Sequence, residues 1–277
     1  MSVEQADFKT LALRRAGPVL HVTLSRPALR NAMSLAMLRE LRLVLGQAEL
    51  GTDTRVIVLR GAGGHFCAGA DLADMAGARM RLKDDPNSLV EVNAAFGELC
   101  VAYAKTGLAT VAVVEGTCMG GGLGLACVVD VTLASDTAVF RLPETGLGLV
   151  PAQIAPFLVE RLGYAEAKRL AVTGGKLGAA EALALRLVHG VHAGDTLDAA
   201  LAQVLADILK CAPGAIAATK ALIAKARFHT PASLVQEAAE VFSRAALSPE
   251  GLEGTTAFLQ KRKPVWVPGP PAAAGAP

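Results

Sequence analysis

Aromatic side chains are scarce in this chain: they make up 4% of its 277 residues, with one tryptophan, Trp266. So few rings give little on which the bases of a single-stranded nucleic acid could stack. Net charge is small as well, +2 from 27 basic and 25 acidic residues, which argues against a polyanion binder driven by bulk charge. Long hydrophobic runs are missing. Stretches such as Thr110–Val114 and Leu125–Val129 fall far short of the roughly 20 residues that span a bilayer. Five cysteines, Cys67, Cys100, Cys118, Cys127 and Cys211, form no Cys-x-x-Cys pair, and the five histidines are scattered. No metal site is expected from that pattern. The stretch from Met1 to Asp7 has neither the basic segment nor the apolar core of a secretion signal. With an odd cysteine count, this reads as reduced thiols in a cytoplasmic setting.

What the chain has in surplus is apolar character, 52% of residues with a mean hydropathy of +0.42. In the absence of a membrane span, a surface shared between copies of the chain is the expected use.

Two glycine-rich segments carry the chemistry. The first runs from Gly61 through Gly63, Gly64, Phe66, Cys67, Ala68, Gly69 and Ala70 to Asp71; the second from Gly116 through Cys118, Met119, Gly120, Gly121 and Gly122 to Gly124. Each follows a strand-like run, Arg55–Arg60 or Thr110–Val114, and leads into an apolar helical pattern. Amides at such a junction are unpaired and sit at the positive end of a helix dipole. Two of them converging would bind an oxyanion, and Glu144, following Pro143, is a carboxylate that could move protons beside it.

The remaining pattern alternates strands and helices to about residue 195 and is helical after that, an α/β organisation. Leu11–Arg15 and Val19–Ser25 flank a Gly17-Pro18 turn, and Ser34 reads as the cap of a helix through Glu49. Helices are expected over Asp71–Arg81 and Ser88–Lys105, the latter with Leu89, Val92, Phe96, Leu99 and Tyr103 on one face. Further strands are expected at Val128–Ala134 and Ala138–Phe140, and loops at Gly174–Lys176 and Val191–Asp195. The Pro/Ala/Gly-rich tail, 267–277, reads as disordered.

Phe66-Cys67-Ala68-Gly69-Ala70-Asp71-Leu72, then Met119-Gly120-Gly121-Gly122-Leu123-Gly124, then Leu142-Pro143-Glu144-Thr145, together resemble the crotonase (enoyl-CoA hydratase/isomerase) superfamily. Leu24-Ser25-Arg26-Pro27 with Asn31-Ala32, and the late Phe258 to Pro264, add to the resemblance, which extends from about Leu11 to Trp266. It implies a spiral of β-β-α turns over 1–195, a helical trimerisation region over 196–266, and a homotrimer or hexamer. It also implies an acyl-CoA substrate and no cofactor beyond the coenzyme A of that substrate. By the same resemblance, the amides of Ala70 and Gly121 form the oxyanion hole and Glu144 is the acid–base. Arg26, Leu29, Arg30, Cys67, Ala68, Asp71, Leu72 and Lys261, with Ala70 and Gly121, fall at coenzyme A- or substrate-binding positions. Arg79 and Arg81 are candidates to face a second substrate carboxylate.

One position departs from the pattern. Many hydratases of the superfamily carry a second glutamate where this chain has Gly124. Members with the later glutamate alone include isomerases and hydratases of branched, carboxylated enoyl-CoAs, the methylglutaconyl and isohexenylglutaconyl types, and the Leu147–Phe157 stretch is most similar to the latter. The expected activity is therefore a hydro-lyase of a branched or carboxylated enoyl-CoA, with a glycine leaving room for the branch. An isomerase using Glu144 alone is the alternative. Two readings lie outside that chemistry. Gly116-x-Cys118-x-Gly120 has the form of a nucleophile elbow, which would make Cys118 the nucleophile of an α/β-hydrolase with Glu144 and His189, His192 or His229. A catalytically idle coenzyme A-binding member is the other. The first segment is not a nucleotide loop: it lacks the Gly-Lys-Ser/Thr ending and a glycine at position 66.

Overall fold

Gly17, in the left-handed region at φ +56°, turns the chain between β1 (Leu11–Ala16) and β2 (Val19–Leu24). The two pair antiparallel, Leu11 opposite Leu24 and Ala16 opposite Val19, as the Gly17-Pro18 signal predicts. The structure is a computed structural model that describes residues 7–268. After β2, Ser34 caps α1 (Leu35–Leu50) by accepting from the Met37 amide. Met37, Leu38, Leu41, Val44 and Leu45 of α1 are buried at helical spacing, so its apolar stripe faces the core.

The chain then runs through β3 (Val56–Gly61), α2 (Leu72–Arg81), α3 (Ser88–Lys105), β4 (Ala109–Val114), β5 (Thr117–Met119), α4 (Gly121–Val128), β6 (Val131–Ser135), β7 (Val139–Arg141) and α5 (Ala155–Thr173). It continues with β8 (Lys176–Gly178), α6 (Ala179–Ala184), β9 (Gly190–His192), α7 (Leu197–Lys210), α8 (Pro213–Ala226), α9 (Pro231–Leu247) and α10 (Pro249–Leu259). One sheet has the order β1-β2-β3-β4-β6-β9 and a second the order β5-β7-β8. Successive turns repeat a path: β4 in the large sheet, β5 in the small one, then α4; next β6, β7 and, after a short 3-10 turn, α5. Stacking one turn on another makes β4 and β6 parallel, and β5 and β7 parallel. This is the β-β-α spiral the resemblance implied. β3 and β4 are almost wholly buried, which suits strands covered on both faces.

Three details differ from the sequence reading. Val128 belongs to the end of α4, and the strand expected from there begins at Val131. β5 lies in a segment read as a loop, and β8 and β9 each overlap one only in part; at three residues each they are too short to show a period of two. The apolar face of α3 divides: Leu99 and Tyr103 are fully buried, whereas Leu89, Val92 and Phe96 line a cavity. The tail expected from 267 lies, after residue 268, outside the described residues.

Contacts divide the chain into two units, one of residues 7–104 and 110–201, the other of 105–109 and 202–268. The second unit is helical. Thr230 and Ser248 cap α9 and α10 by accepting from the amides of Ser233 and Gly251. Trp266 Nε1 donates to the Lys210 carbonyl at 3.0 Å, and Lys220 Nζ to that of Leu108. Phe242, Leu247, Phe258 and Leu259 of this unit are exposed.

Candidate active site

The two glycine-rich segments are zipped together. Cys67 N–H donates to the Thr117 carbonyl at 3.0 Å and Met119 N–H donates to the Cys67 carbonyl at 2.9 Å, forming a parallel bridge between Cys67 and Cys118. Ala70 and Gly121 each lie three residues beyond that bridged pair. Ala70 precedes the Asp71 cap of α2, and Gly121 is the first residue of α4. Neither N–H donates to a protein acceptor among the described residues. Both residues line one cavity of about 360 Å³ in the first unit, and so does Glu144.

Glu144 opens the 3-10 turn Glu144–Leu147, which Pro143 precedes and Gly148 closes in the left-handed conformation. Its Oε2 is buried with no hydrogen-bond partner among the described residues. Burial raises its pKa above the ordinary 4.5, against a smaller opposing effect of its own backbone amide. A carboxylate shifted this way exchanges protons more readily near neutrality than a solvated one. The walls between Glu144 and the two amides are largely apolar, with Met33, Leu38, Phe96, Leu149 and Ile154 among them.

The structure answers the question raised by Gly124. A β-carbon there would meet Phe96 Cζ at 3.0 Å and Ile154 Cγ1 at 3.1 Å. The expected room for a branched substituent is filled by those two side chains. Sequence reading missed a polar pair on the same wall: Gln153 Nε2 donates to Asn93 Oδ1 at 3.0 Å, and both residues line the cavity. Gln153 fits because Gly97 of α3 has no side chain; a β-carbon there would lie 2.2 Å from Gln153 Oε1. The glycine in α3 was the available signal.

The coenzyme A positions fare unevenly. Arg26 is held by the protein itself: its Nη1 donates to Asp71 Oδ2 at 2.7 Å and to the Ala32 carbonyl at 2.6 Å. Asp71 is buried, which would raise its pKa, but hydrogen bonds from Arg26 and the Ala73 amide outweigh this and hold it below its usual value. Leu29 and Arg30 are exposed, and the Arg30 carbonyl accepts from Ala68 N–H at 2.9 Å. Leu72 is exposed at the start of α2, and Lys261 lies in the second unit in the left-handed conformation. Arg79 lines the cavity with Glu144, whereas Arg81 lines a different cavity, of about 350 Å³, with Arg39 and Arg42.

Cys118 does not have the surroundings of a nucleophile. It is fully buried in β5, and burial, with Cys67 and Cys127 nearby, pushes its thiol well above the ordinary value. Of the three candidate histidines, His189 is engaged elsewhere: its Nδ1 accepts from Thr132 N–H, and its Nε2 meets Arg161. Cys67, also fully buried, is pushed up to about 12.

The family model for enoyl-CoA hydratase/isomerase matches residues 14–268. The chain belongs to that family. Solved structures share the fold closely. Pseudomonas aeruginosa AtuE is 48% identical with a TM-score of 0.90, covering 94% of this chain and all of that one. An enoyl-CoA hydratase/isomerase from Marinobacter aquaeolei is 46% identical with a TM-score of 0.89 over the same shares. The 2,3-dehydroadipyl-CoA hydratase of Escherichia coli is 35% identical over 257 residues, covering 92% of this chain and 97% of its own. Membership makes an acyl-CoA substrate and hydratase/isomerase chemistry the general setting of the site.

Proposed function

We propose that this chain adds water across the 2,3 double bond of an enoyl-CoA. The observation that carries the reading is the pairing, on one cavity, of two amides and a carboxylate Oε2 that have no hydrogen-bond partner among the described residues. The thioester carbonyl takes hydrogen bonds from the amides of Ala70 and Gly121, where enolate charge develops. Glu144 removes a proton from water as its oxygen attacks Cβ, then returns that proton to Cα, so one carboxylate serves as base and acid in turn. In place of a second carboxylate the wall offers the Asn93–Gln153 pair. With Gln153 Nε2 bound to Asn93 Oδ1, an amide donor of Asn93 and the Oε1 acceptor of Gln153 are left to orient a water molecule.

The finer reading is that the acyl group carries a second carboxylate. It is supported by the similarity to a hydratase named for dehydroadipyl-CoA, the thioester of a dicarboxylic acid. Coenzyme A enters as part of the substrate. Exposed Phe242, Leu247, Phe258 and Leu259 suit a surface covered by another copy of the chain, in keeping with a trimer or hexamer.

A specific observation favours a second reading, isomerisation of the double bond: one carboxylate suffices to carry a proton between two carbons, and among the cavity's described lining residues Glu144 is the one carboxylate that no other residue engages. Incubating purified protein with 2-enoyl-CoA thioesters in H₂¹⁸O separates the two. Hydration yields a 3-hydroxyacyl-CoA with the label in the new hydroxyl. Double-bond migration without label establishes the isomerase instead.

A further inference from the structure

The cavity that holds Glu144 has one cationic side chain among its described lining residues, Arg79, and that guanidinium has no ion pair or hydrogen bond among the described residues. The acidic groups on the same wall are committed. Asp71 is paired with Arg26, and Asp74 Oδ2 accepts from Leu35 N–H at 2.7 Å. Asp71, Asp74, Met75 and Arg79 recur at helical spacing, so one face of α2 is turned to the cavity along its length. That helix starts beside the Ala70 amide and ends near Arg79. Arg79 lies seven residues past Leu72, about 10 Å along the axis, and a helical side chain leans back toward the N-terminus. An acyl chain whose thioester sits at Ala70 and Gly121 therefore extends along α2 toward Arg79, past Met33, Met75 and Leu89.

We infer that Arg79 is the specificity residue of this site, binding a carboxylate at the far end of the acyl chain. The inference rests on the enoyl-CoA reading above and goes further, because it assigns the dicarboxylic acyl class to one side chain. A planar guanidinium receives a carboxylate through two parallel hydrogen bonds, which an ammonium cannot reproduce. Arg81, two residues on, serves as a control because it lines the other cavity.

The test compares two unreactive thioesters of equal length, adipyl-CoA and hexanoyl-CoA, by calorimetric binding to the wild-type chain, Arg79→Gln, Arg79→Lys and Arg81→Gln. The expected result is tighter binding of adipyl-CoA by wild type, lost by about 10- to 100-fold in Arg79→Gln. Arg79→Lys should recover part of it, Arg81→Gln should keep it, and hexanoyl-CoA should be unaffected throughout. Turnover of 2,3-dehydroadipyl-CoA and trans-2-hexenoyl-CoA should divide the same way, with the Arg79→Gln loss confined to the dicarboxylic substrate. Equal binding of the two thioesters by wild type, or an equal loss for both in Arg79→Gln, overturns the inference even if hydration proceeds. Binding that follows the expected pattern without turnover of either substrate supports Arg79 and refutes the hydratase reading instead.

Discussion

A β-carbon added to Gly120 would lie 2.7 Å from Oε1 of Glu144, so the carboxylate rests directly on the backbone of the second glycine-rich loop. Gly120 also has φ +48°, a conformation that side chains other than glycine rarely take. The same residue sets the turn that exposes the Gly121 amide and leaves space for the acid–base group. Gly120→Ala is expected to cost roughly 1–3 kcal/mol of stability through backbone strain and to displace Glu144. Thermal unfolding and turnover, measured on the same preparation, check this. A variant as stable and active as wild type would show that the carboxylate does not depend on this contact.

Glu144→Gln keeps the shape and removes the proton carrier, so turnover should fall by roughly 10²–10⁴ while acyl-CoA binding is retained. The raised pKa adds a stability signature. A carboxyl whose folded-state pKa lies above its unfolded value favours folding below the unfolded value, and that advantage is lost as pH rises through the folded one. At neutral pH the wild-type chain therefore carries the cost of a half-buried charge that Gln lacks. Glu144→Gln should unfold at an equal or higher temperature than wild type at pH 7, relative to their order in acid. In kcat/KM, the acid limb of the wild-type profile should have a midpoint above that of an ordinary carboxylate. A less stable Gln variant at neutral pH would mean that Glu144 is held by an interaction not described above.

The glycine at 124 lends itself to a gain-of-function test with a negative expected outcome. Glutamate there must displace Phe96 and Ile154, which already stand 3.0 and 3.1 Å from the position of a β-carbon. Overpacking of this kind costs about 1–3 kcal/mol, so Gly124→Glu alone should be destabilised and no faster. Adding Phe96→Ala should relieve the strain, and the two substitutions should be strongly non-additive in unfolding free energy. Additive effects would place the glutamate away from Phe96.

Much of this site was legible before the fold was known, for identifiable reasons. Ser34 and the Leu38-Leu41-Leu45 stripe mark α1 because capping and burial are local properties of the chain. Gly120 and Glu144 stand out because their residue types are forced by backbone geometry or by proton chemistry. Features that depend on tertiary neighbours were not visible. Gly124 read as an opening because nothing near it in the chain shows that Phe96, 28 positions earlier, fills the space. Gln153 and Asn93 are 60 positions apart, and only the Gly97 gap brings them into one hydrogen bond. Arg26 read as a coenzyme A- or substrate-binding residue because the Asp71 partner lies 45 positions away.

Arg26 yields the last prediction, because the structure assigns it a different use from the one its position suggests. Its Nη1 joins the loop before α1 to the cap of α2, through Asp71 and the Ala32 carbonyl, and so braces the turn that presents Ala70. Arg26→Ala should lower stability by about 1–3 kcal/mol, the cost of leaving a charged hydrogen-bonding partner without its mate. Because the pair depresses the Asp71 pKa, its contribution is present above the ordinary carboxyl value of 3.8 and is lost as pH falls through the lower folded-state value. The stability gap between wild type and Arg26→Ala should therefore be widest near neutrality and narrow in acid. Binding of hexanoyl-CoA should change little once the protein is folded. A gap that does not vary with pH, together with a large loss of thioester affinity, would return Arg26 to the role of a coenzyme A-binding residue and leave Asp71 to cap α2 unaided.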